Sequence, residues 1–529
     1  ANKRPDRNAL VMPGGEALTF RALWDHVDRC STGLGKLGFH AGDRAIVMIP
    51  MSIELYVVLL GIIKMGGVAV FVDPWIGPRR IASFCAFADP RAFVGIPRSH
   101  ILRVVDRRLL RIPLTISTGR CCVGLPAKVS LTSLCDKGAG SEEGSIVPVS
   151  LAASALITFT TGSSGIPKGA NRTHGFLRAQ NQALNQEFPI QDGDIDMPMF
   201  PVFALRNLAA GITSIIPKMD FRKVADVNPA EITRQMATHR VVTATASPPF
   251  FDKLARYCQG NPARRLSLRR ILTGGAPVTD SQLKTWRVAF PEARCEIVYG
   301  STEAEPVAHI DLEHRLYKDR TRPDGGGYCI GRPTQLLNTR IIQVNKKAVE
   351  FSGDWSELEV NAGEVGELIV NGDHVCTGYF NNPNAVKRNK IKDNHGLIWH
   401  RMGDTVYEDE NGYLWLVGRV HSTIIRKQQT IHAQRVEQNL AESFKEIEQV
   451  AVIGIPDDET GERLVIVLRG AGFKKPFRDQ IKRFLAQNEI PADQIIVTTK
   501  PLPMDPRHNA KIDYSKLRQN LAVKGWKST

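Results

Sequence analysis

The sequence predicts an α/β protein: a large multi-subdomain N-terminal region of parallel-rich sheets and helices, followed by a small α+β domain. Three observations predict it. A chain of 529 residues is too long for one hydrophobic core. Residues 1–150 alternate short apolar strands with amphipathic helices, the pattern of crossover units in a parallel sheet. From Gly366 the pattern shifts to shorter β-rich pieces, and from about residue 420 the tail has its own strand and helix pattern. The expected domains are therefore 1–418 and 419–529, hinged near Arg419.

In chain order, Arg44 to Ile49 reads as a strand, Ser52 to Met65 as a helix, and Gly67 to Val72 as a strand ending at Asp73-Pro74. The run from Ala45 to Val72 is apolar, but Glu54, Lys64 and Gly66-Gly67 interrupt it, so it does not read as a membrane span. Lys137 to Ser145, rich in Gly, Ser and Glu, reads as an exposed loop before the strand Ala155 to Thr160. Val241 to Ala246 follows as a strand, Pro248 to Tyr257 as a helix, and Arg269 to Thr273 as a strand entering Gly274-Gly275. Gly366 to Asn371 and Gly412 to Gly418 read as strands, with a hairpin signal at Asn411-Gly412. In the tail, Glu448 to Ile455 and Arg463 to Leu468 read as strands and Arg478 to Ala486 as a helix.

Lys plus Arg number 69 against 54 Asp plus Glu, an excess of 15 that attracts anions: nucleotides, nucleic acid, acidic lipid headgroups or an acidic carrier protein. The charge clusters locally at Arg103 to Arg111 and Lys474 to Lys482. Zinc-finger spacing, basic-zipper heptads and an aromatic RNA-binding signature are all missing, so a solvated basic surface is favoured over specific nucleic-acid binding. Nine cysteines are scattered without CxxC spacing, and their odd count fits no disulfide framework. Reduced thiols in a cytoplasmic protein are expected, with neither a leader peptide nor a transmembrane segment.

The chemistry-bearing loop is Thr160-Thr161-Gly162-Ser163-Ser164-Gly165-Ile166-Pro167-Lys168-Gly169, directly after a predicted strand. Glycines let backbone approach a phosphate, and successive amides form an anion-binding nest. The hydroxyls of Thr160, Thr161, Ser163 and Ser164 add donors, and Lys168 adds charge. It is not a Walker loop, because the Gly-Lys-Ser/Thr ending is missing.

This loop resembles the phosphate-binding signature of the adenylate-forming superfamily: acyl- and aryl-CoA synthetases, peptide-synthetase adenylation domains and luciferases. The likeness runs from Asp6 to Leu517 with the motifs in the family's order. The resemblance implies ATP-dependent conversion of a carboxylic acid to acyl-AMP, with a mobile C-terminal lid. It implies that Thr302 and Glu303 of Tyr299-Gly300-Ser301-Thr302-Glu303 act in catalysis, Tyr299 stacking on adenine, Thr302 reaching a phosphate and Glu303 holding Mg²⁺. Gly275, Ala276 and Pro277 are expected to border the adenine, Asp404 to accept from the ribose hydroxyls, and Arg419 to contact ribose or phosphate. Lys511 is expected to swing in and stabilise charge between the carboxylate and the α-phosphate.

The sequence departs from the family in places. Ala510 precedes the lysine where a glycine is usual. After Arg419, Ser422 stands where a hinge acid is expected, and Lys427-Gln428 stand where glycines line the path of CoA. In Phe200-Pro201-Val202-Phe203-Ala204-Leu205, Ala204 replaces the histidine of many CoA ligases. That segment and the ending Asp505-Pro506-Arg507-His508-Asn509-Ala510-Lys511 resemble the β-lactone synthetases of olefin biosynthesis. The implied second step is closure by the substrate's own hydroxyl, with CoA thioester formation as the alternative. The implied acid is fatty or 3-hydroxy fatty, bordered by Phe200, Phe203 and Ala204, and an acidic carrier or pathway partner suits the charge. A non-enzymatic binder of nucleotide or nucleic acid is the contrasting reading, against which the loop, Glu303 and Lys511 weigh.

Overall fold

The apolar run near the N-terminus folds as strand Arg44–Met48, helix Ile53–Lys64 and strand Val68–Val72. Its polar interruptions each have a local role. Ser52 caps the helix by accepting from the Leu55 amide at 3.3 Å, and Glu54 lies in the first turn, where the helix dipole favours an acid. Lys64, buried in the last turn, pairs with Asp28.

The structure, a computed structural model, describes residues 2–72, 77–119, 127–140, 144, 146–160, 167–261, 266–320, 326–427, 429–470, 475–504 and 512–524. The chain divides into two units. The first comprises Ala1–Tyr317, Arg332–Asn338 and Val370–His400, and the second Lys318–Gly331, Thr339–Ile369 and Arg401–Thr529.

The first unit holds two sheets. One has the order Val129–Ser130, Leu114–Ser117, Ala92–Gly95, Arg44–Met48, Val68–Val72, Ser154–Thr160, Lys168–Thr173, parallel throughout except for its last pair. In the other, strands Arg294–Ser301, Arg270–Gly274, Thr243–Ala246, Ile195–Pro198, Thr213–Ile215 and Asn8–Val11 run parallel, flanked by antiparallel Ala304–Asp311 and Ala17–Thr19. In the first of these sheets Arg44–Met48, Val68–Val72 and Ala92–Gly95 are apolar in runs rather than alternating, as burial on both faces requires. Helices Pro248–Gly260 and Asp280–Ala289 bury Phe250, Phe251 and Trp286 on the second sheet. The expected loop from Lys137 begins later than predicted. Lys137 and Gly138 complete helix Leu131–Gly138, whose Leu134 is buried with Val27 and Cys30 of helix Phe20–Lys36. Tertiary packing there overrides the turn-like composition.

In the second unit, strands Ile398–Glu408 and Leu414–Arg419 form the expected hairpin. Asp409 organises its turn, accepting from the Asn411 and Tyr413 amides at 3.0 and 2.9 Å and from the Trp415 indole at 3.0 Å. The tail forms a sheet of Gln449–Asp457, Gly461–Arg469 and Gln494–Thr498. Its period-two alternation feeds two cores. Val452, Leu464 and Ile466 face Leu440, Ile481 and Leu485 of two helices, while Ile453, Val465 and Val467 face Leu502 and Leu517. Glu437, on helix Ala433–Ser443, accepts from the Val452 amide at 2.7 Å and from the Tyr514 hydroxyl at 2.8–2.9 Å. Burial pushes its carboxyl up to about 7.

Candidate active site

Parallel strands present ligands at their carboxyl ends. In the second sheet of the first unit, the ends of Ile195–Pro198, Arg270–Gly274 and Arg294–Ser301 bring Phe200, Gly275–Pro277 and Tyr299–Glu303 to one edge. Tyr299 is half-buried within its strand, and Gly275 turns the chain with φ of +79°. Gly300 is required by space: a Cβ there would stand 2.8 Å from the Ala304 carbonyl oxygen as the chain doubles back.

Thr302 and Glu303 occupy that reversal and are braced from three sides. The Ser301 hydroxyl accepts from the Glu303 amide at 3.2 Å, the Cys376 amide donates to the Glu303 carbonyl at 2.7 Å, and Arg172 donates to the Thr302 carbonyl at 3.1 Å. The Tyr379 hydroxyl donates to Glu303 Oε1 at 2.8 Å. Beneath Tyr379 lies the buried ammonium of Lys390, 5.3 Å from the ring centroid and donating to the Cys376 carbonyl. His400 is buried beside them and donates through Nδ1 to the Asn389 carbonyl at 3.2 Å.

The electrostatics follow from these neighbours. Burial alone would raise Glu303, but His400, Lys390 and the Tyr379 hydroxyl hold it below the ordinary glutamate value. Burial and the charge of Lys390 push His400 down to about 3, so at neutral pH it is uncharged. With His400 uncharged, Lys390 is the chief buried cation acting on Glu303, and Lys168 and Arg172 also share an electrostatic interaction with it. Burial lowers Lys390 itself to about 8, against the pull of Cys376 and Glu303.

Of the phosphate loop, Thr161–Ile166 lie outside the described residues, while Thr160 ends the strand before them. The far shoulder is tightly held. Asn382 donates to the Pro167 carbonyl at 2.9 Å, and the Phe380 amide to the Gly169 carbonyl at 2.8 Å. Gly169 is small because a Cβ would meet the Phe159 ring at 2.6 Å. Phe159 in turn packs on Phe84 and Phe87, with centroids 5.8 and 6.1 Å away. Lys168 is half-buried. Desolvation lowers its ammonium, with Glu303 opposing and Arg388 adding to the effect.

Phe200 precedes helix Pro201–Ala210 and lies 6.3 Å, centroid to centroid, from Phe203. Phe203 is buried with Leu184, Phe188, Leu272 and Val298, and Ala204 is wholly buried in the main core. The same helix lines an apolar cavity of 530 Å³ with Val202, Leu205 and Leu208, against Leu23, Ile63 and Leu177 of three other helices. Gln180 lines it too and donates to the Glu305 carbonyl at 3.2 Å, linking the cavity wall to the strand that follows Glu303.

In the second unit, Asp404 and Arg419 are cross-strand partners, with Arg419 Nε 2.8 Å from Asp404 Oδ1. Asp404 is buried and Arg419 half exposed. Lys427 is exposed, whereas Gln428 and Lys511 lie outside the described residues.

A model of the AMP-binding enzyme family matches residues 1–380, well over half of the chain. The chain belongs to the AMP-binding enzyme family. It is similar to olefin β-lactone synthetases of Stenotrophomonas maltophilia (strain K279a), 31% identical, and Xanthomonas campestris pv. campestris, 32% identical. Each alignment covers 98% of this chain and 95% of the relative. A probable CoA ligase of Humulus lupulus is 24% identical, over 93% of this chain and 86% of that protein. Among solved structures, ATP-bound MatB from Rhodopseudomonas palustris shares the fold, with a TM-score of 0.76 at 19% identity over 99% of this chain and 97% of that one.

As an AMP-binding enzyme, the chain brings Tyr299, Thr302, Glu303 and Gly275–Pro277 together at one strand-end edge, as described above. Sequence reasoning passed over Tyr379, Lys390 and His400, which lie 76, 87 and 97 residues after Glu303 (379 − 303, 390 − 303 and 400 − 303). A lysine and a histidine that the fold buries near one another leave no clear signal, because their strands, Lys390–Lys392 and Ile398–Glu408, carry other polar residues as well.

Proposed function

We propose that this adenylate-forming enzyme activates a fatty or 3-hydroxy fatty acid as its acyl-AMP and then closes the intermediate to a β-lactone. The observation that carries the first step is Glu303: an ionised carboxylate at the strand-end edge, kept charged chiefly by Lys390 and with only Oε1 engaged by Tyr379. Magnesium fits this donor set. Among the described residues no cluster of three metal-ligating side chains occurs, and Mg²⁺ commonly takes one carboxylate and fills its remaining positions from phosphates and water. Glu303 would hold it, and the ion would offset phosphate charge when bound.

In adenylation a carboxylate oxygen of the acid attacks the α-phosphorus while the bond to pyrophosphate breaks. Thr160 to Lys168 hold the phosphates, Tyr299 and Gly275–Pro277 take the adenine, and Asp404 and Arg419 take the ribose. Lys511 would stabilise the charge shared by the carboxylate and the α-phosphate as the acyl–phosphate bond forms. In the second step the 3-hydroxyl oxygen attacks the acyl carbon, its proton passes to solvent, and AMP leaves with the phosphate oxygen. The apolar cavity beside helix Pro201–Ala210 supports a long-chain acid, since its size and walls suit an alkyl chain. The lactone ending is supported by the two full-length relatives named as β-lactone synthetases. It is supported as well by side chains at Lys427-Gln428, where CoA ligases carry glycines.

The test is incubation with ATP, Mg²⁺ and racemic 3-hydroxy fatty acids, with and without CoA, read by mass spectrometry. Lactone and AMP should appear without CoA. A product formed only with CoA would replace the lactone by a thioester, and acid-dependent pyrophosphate release that persisted in Lys511→Ala would remove Lys511 from the mechanism.

A further inference from the structure

The segment Pro97–Arg111 takes no part in the chemistry above, and its composition is unusual. It holds five arginines and one acid, Asp106, among fifteen residues. It folds as a 3-10 turn Pro97–Ile101 and two short helices, Leu102–Val105 and Arg107–Leu110, with Asp106 between them accepting from the Arg108 amide at 3.0 Å. Its underside is fixed. Leu109 is fully buried in the core that contains Ile46, Val70 and Phe93, Leu102 packs on that core, and the ring of buried His100 lies 5.1 Å from Phe93. Its outer side is apolar: Ile101, Val104, Val105 and Leu110 are 57, 51, 42 and 45% exposed. These are four of the eleven exposed large apolar side chains among the described residues, gathered within ten positions. With the underside anchored, they have no route into the core.

The segment also carries exposed cations. Arg98, Arg107, Arg108 and Arg111 are exposed on it, and among the described residues only Arg108 of these is paired, with Asp106 at 2.6 Å. Helix Pro78–Phe87 packs alongside and adds exposed Arg79 and Arg80. We infer that this face docks on a bilayer carrying anionic lipids, the aliphatic side chains entering the interface and the arginines meeting the headgroups. Exposed aliphatic side chains on a segment rich in exposed arginine suit that occupant, because the aliphatic groups supply insertion and the guanidinium groups supply attraction to negative charge. A protein partner fits less well. The exposed patch contains no aromatic anchor, the side-chain type on which protein hot spots draw most. The inference rests on the surface alone and stands or falls apart from the adenylation reading.

Co-sedimentation of the full chain with vesicles tests it. Vesicles with about 30 mol % phosphatidylglycerol should bind at least tenfold more tightly than pure phosphatidylcholine, and added salt should weaken binding. The triple variant Ile101→Ser/Val104→Ser/Leu110→Ser and the double variant Arg107→Gln/Arg111→Gln should each lose about tenfold or more, while adenylating at the wild-type rate. Absence of vesicle binding by the wild type, or undiminished binding by both variants, would overturn the inference. So would preferential retention on polyglutamate that survives the serine substitutions, which would assign the arginines to an acidic protein instead.

Discussion

Glu303 in the first unit and Glu437 in the second accept from the same kinds of donor. Each carboxylate receives a tyrosine hydroxyl, Tyr379 in one case and Tyr514 in the other, and each is influenced by a nearby backbone amide. Burial acts on both in the same direction. Yet Glu303 is held below the ordinary value while Glu437 rises to about 7. The difference is a buried cation: Lys390 stands behind Tyr379, and no positive side chain figures among the influences on Glu437. Hydrogen bonds from neutral donors leave a desolvated carboxylate with a raised value, whereas nearby cations hold it down.

The largest test of that contrast is Glu303→Gln. It keeps a partner for Tyr379 but removes the charge, and acid-dependent ATP–pyrophosphate exchange should fall by about a thousandfold with the fold intact by circular dichroism. Lys390→Met should move Glu303 part of the way toward Glu437, with Lys168 and Arg172 still acting on it. Exchange should fall by up to about a hundredfold, chiefly through KM for the magnesium nucleotide, and the acid limb of the pH profile should move to higher pH. An unshifted acid limb would show that Lys390 only fills space.

Glu437→Gln probes the other side. A carboxyl whose folded value is raised contributes stability that is complete below the unfolded value of 4.5 and is lost as pH rises through about 7. The wild type should therefore lose up to about 3 kcal/mol from this group as pH rises through those limits, and the glutamine variant should show a flatter melting profile across them. Smallest is Arg419→Ala. Asp404 has its cation in direct contact, but Arg419 is half exposed, so the loss of stability should stay below about 1 kcal/mol in a denaturant titration.

Much of this was legible before any coordinates. Strand and helix between Arg44 and Val72 follow from their apolar runs and the breaks at Ser52 and Gly66-Gly67. Tyr299 to Glu303, Asp404 and Arg419 could be singled out because their segments resemble family motifs in the family's order, which the residue types alone would not have marked. Lys390 and His400 could not. Their meaning depends on which distant carboxylate the fold sets beside them, and local pattern carries no such information. Gly169 was legible as a residue but not as a cause. Its place among glycines suggested phosphate contact, whereas its own lack of a side chain answers to the Phe159 ring.

That last contact has a historical consequence. Phe159, Phe84 and Phe87 form a small cluster of tilted and edge-on rings against Gly169 at the shoulder of the phosphate loop, and Phe380 joins it at 6.1 Å from Phe87. A methyl at position 169 would meet both the ring at 159 and the Ile157 side chain, at 2.6 and 2.9 Å, so descendants of this chain can replace the glycine only after both neighbours have given way. A lineage that reversed the order would pass through a strained loop.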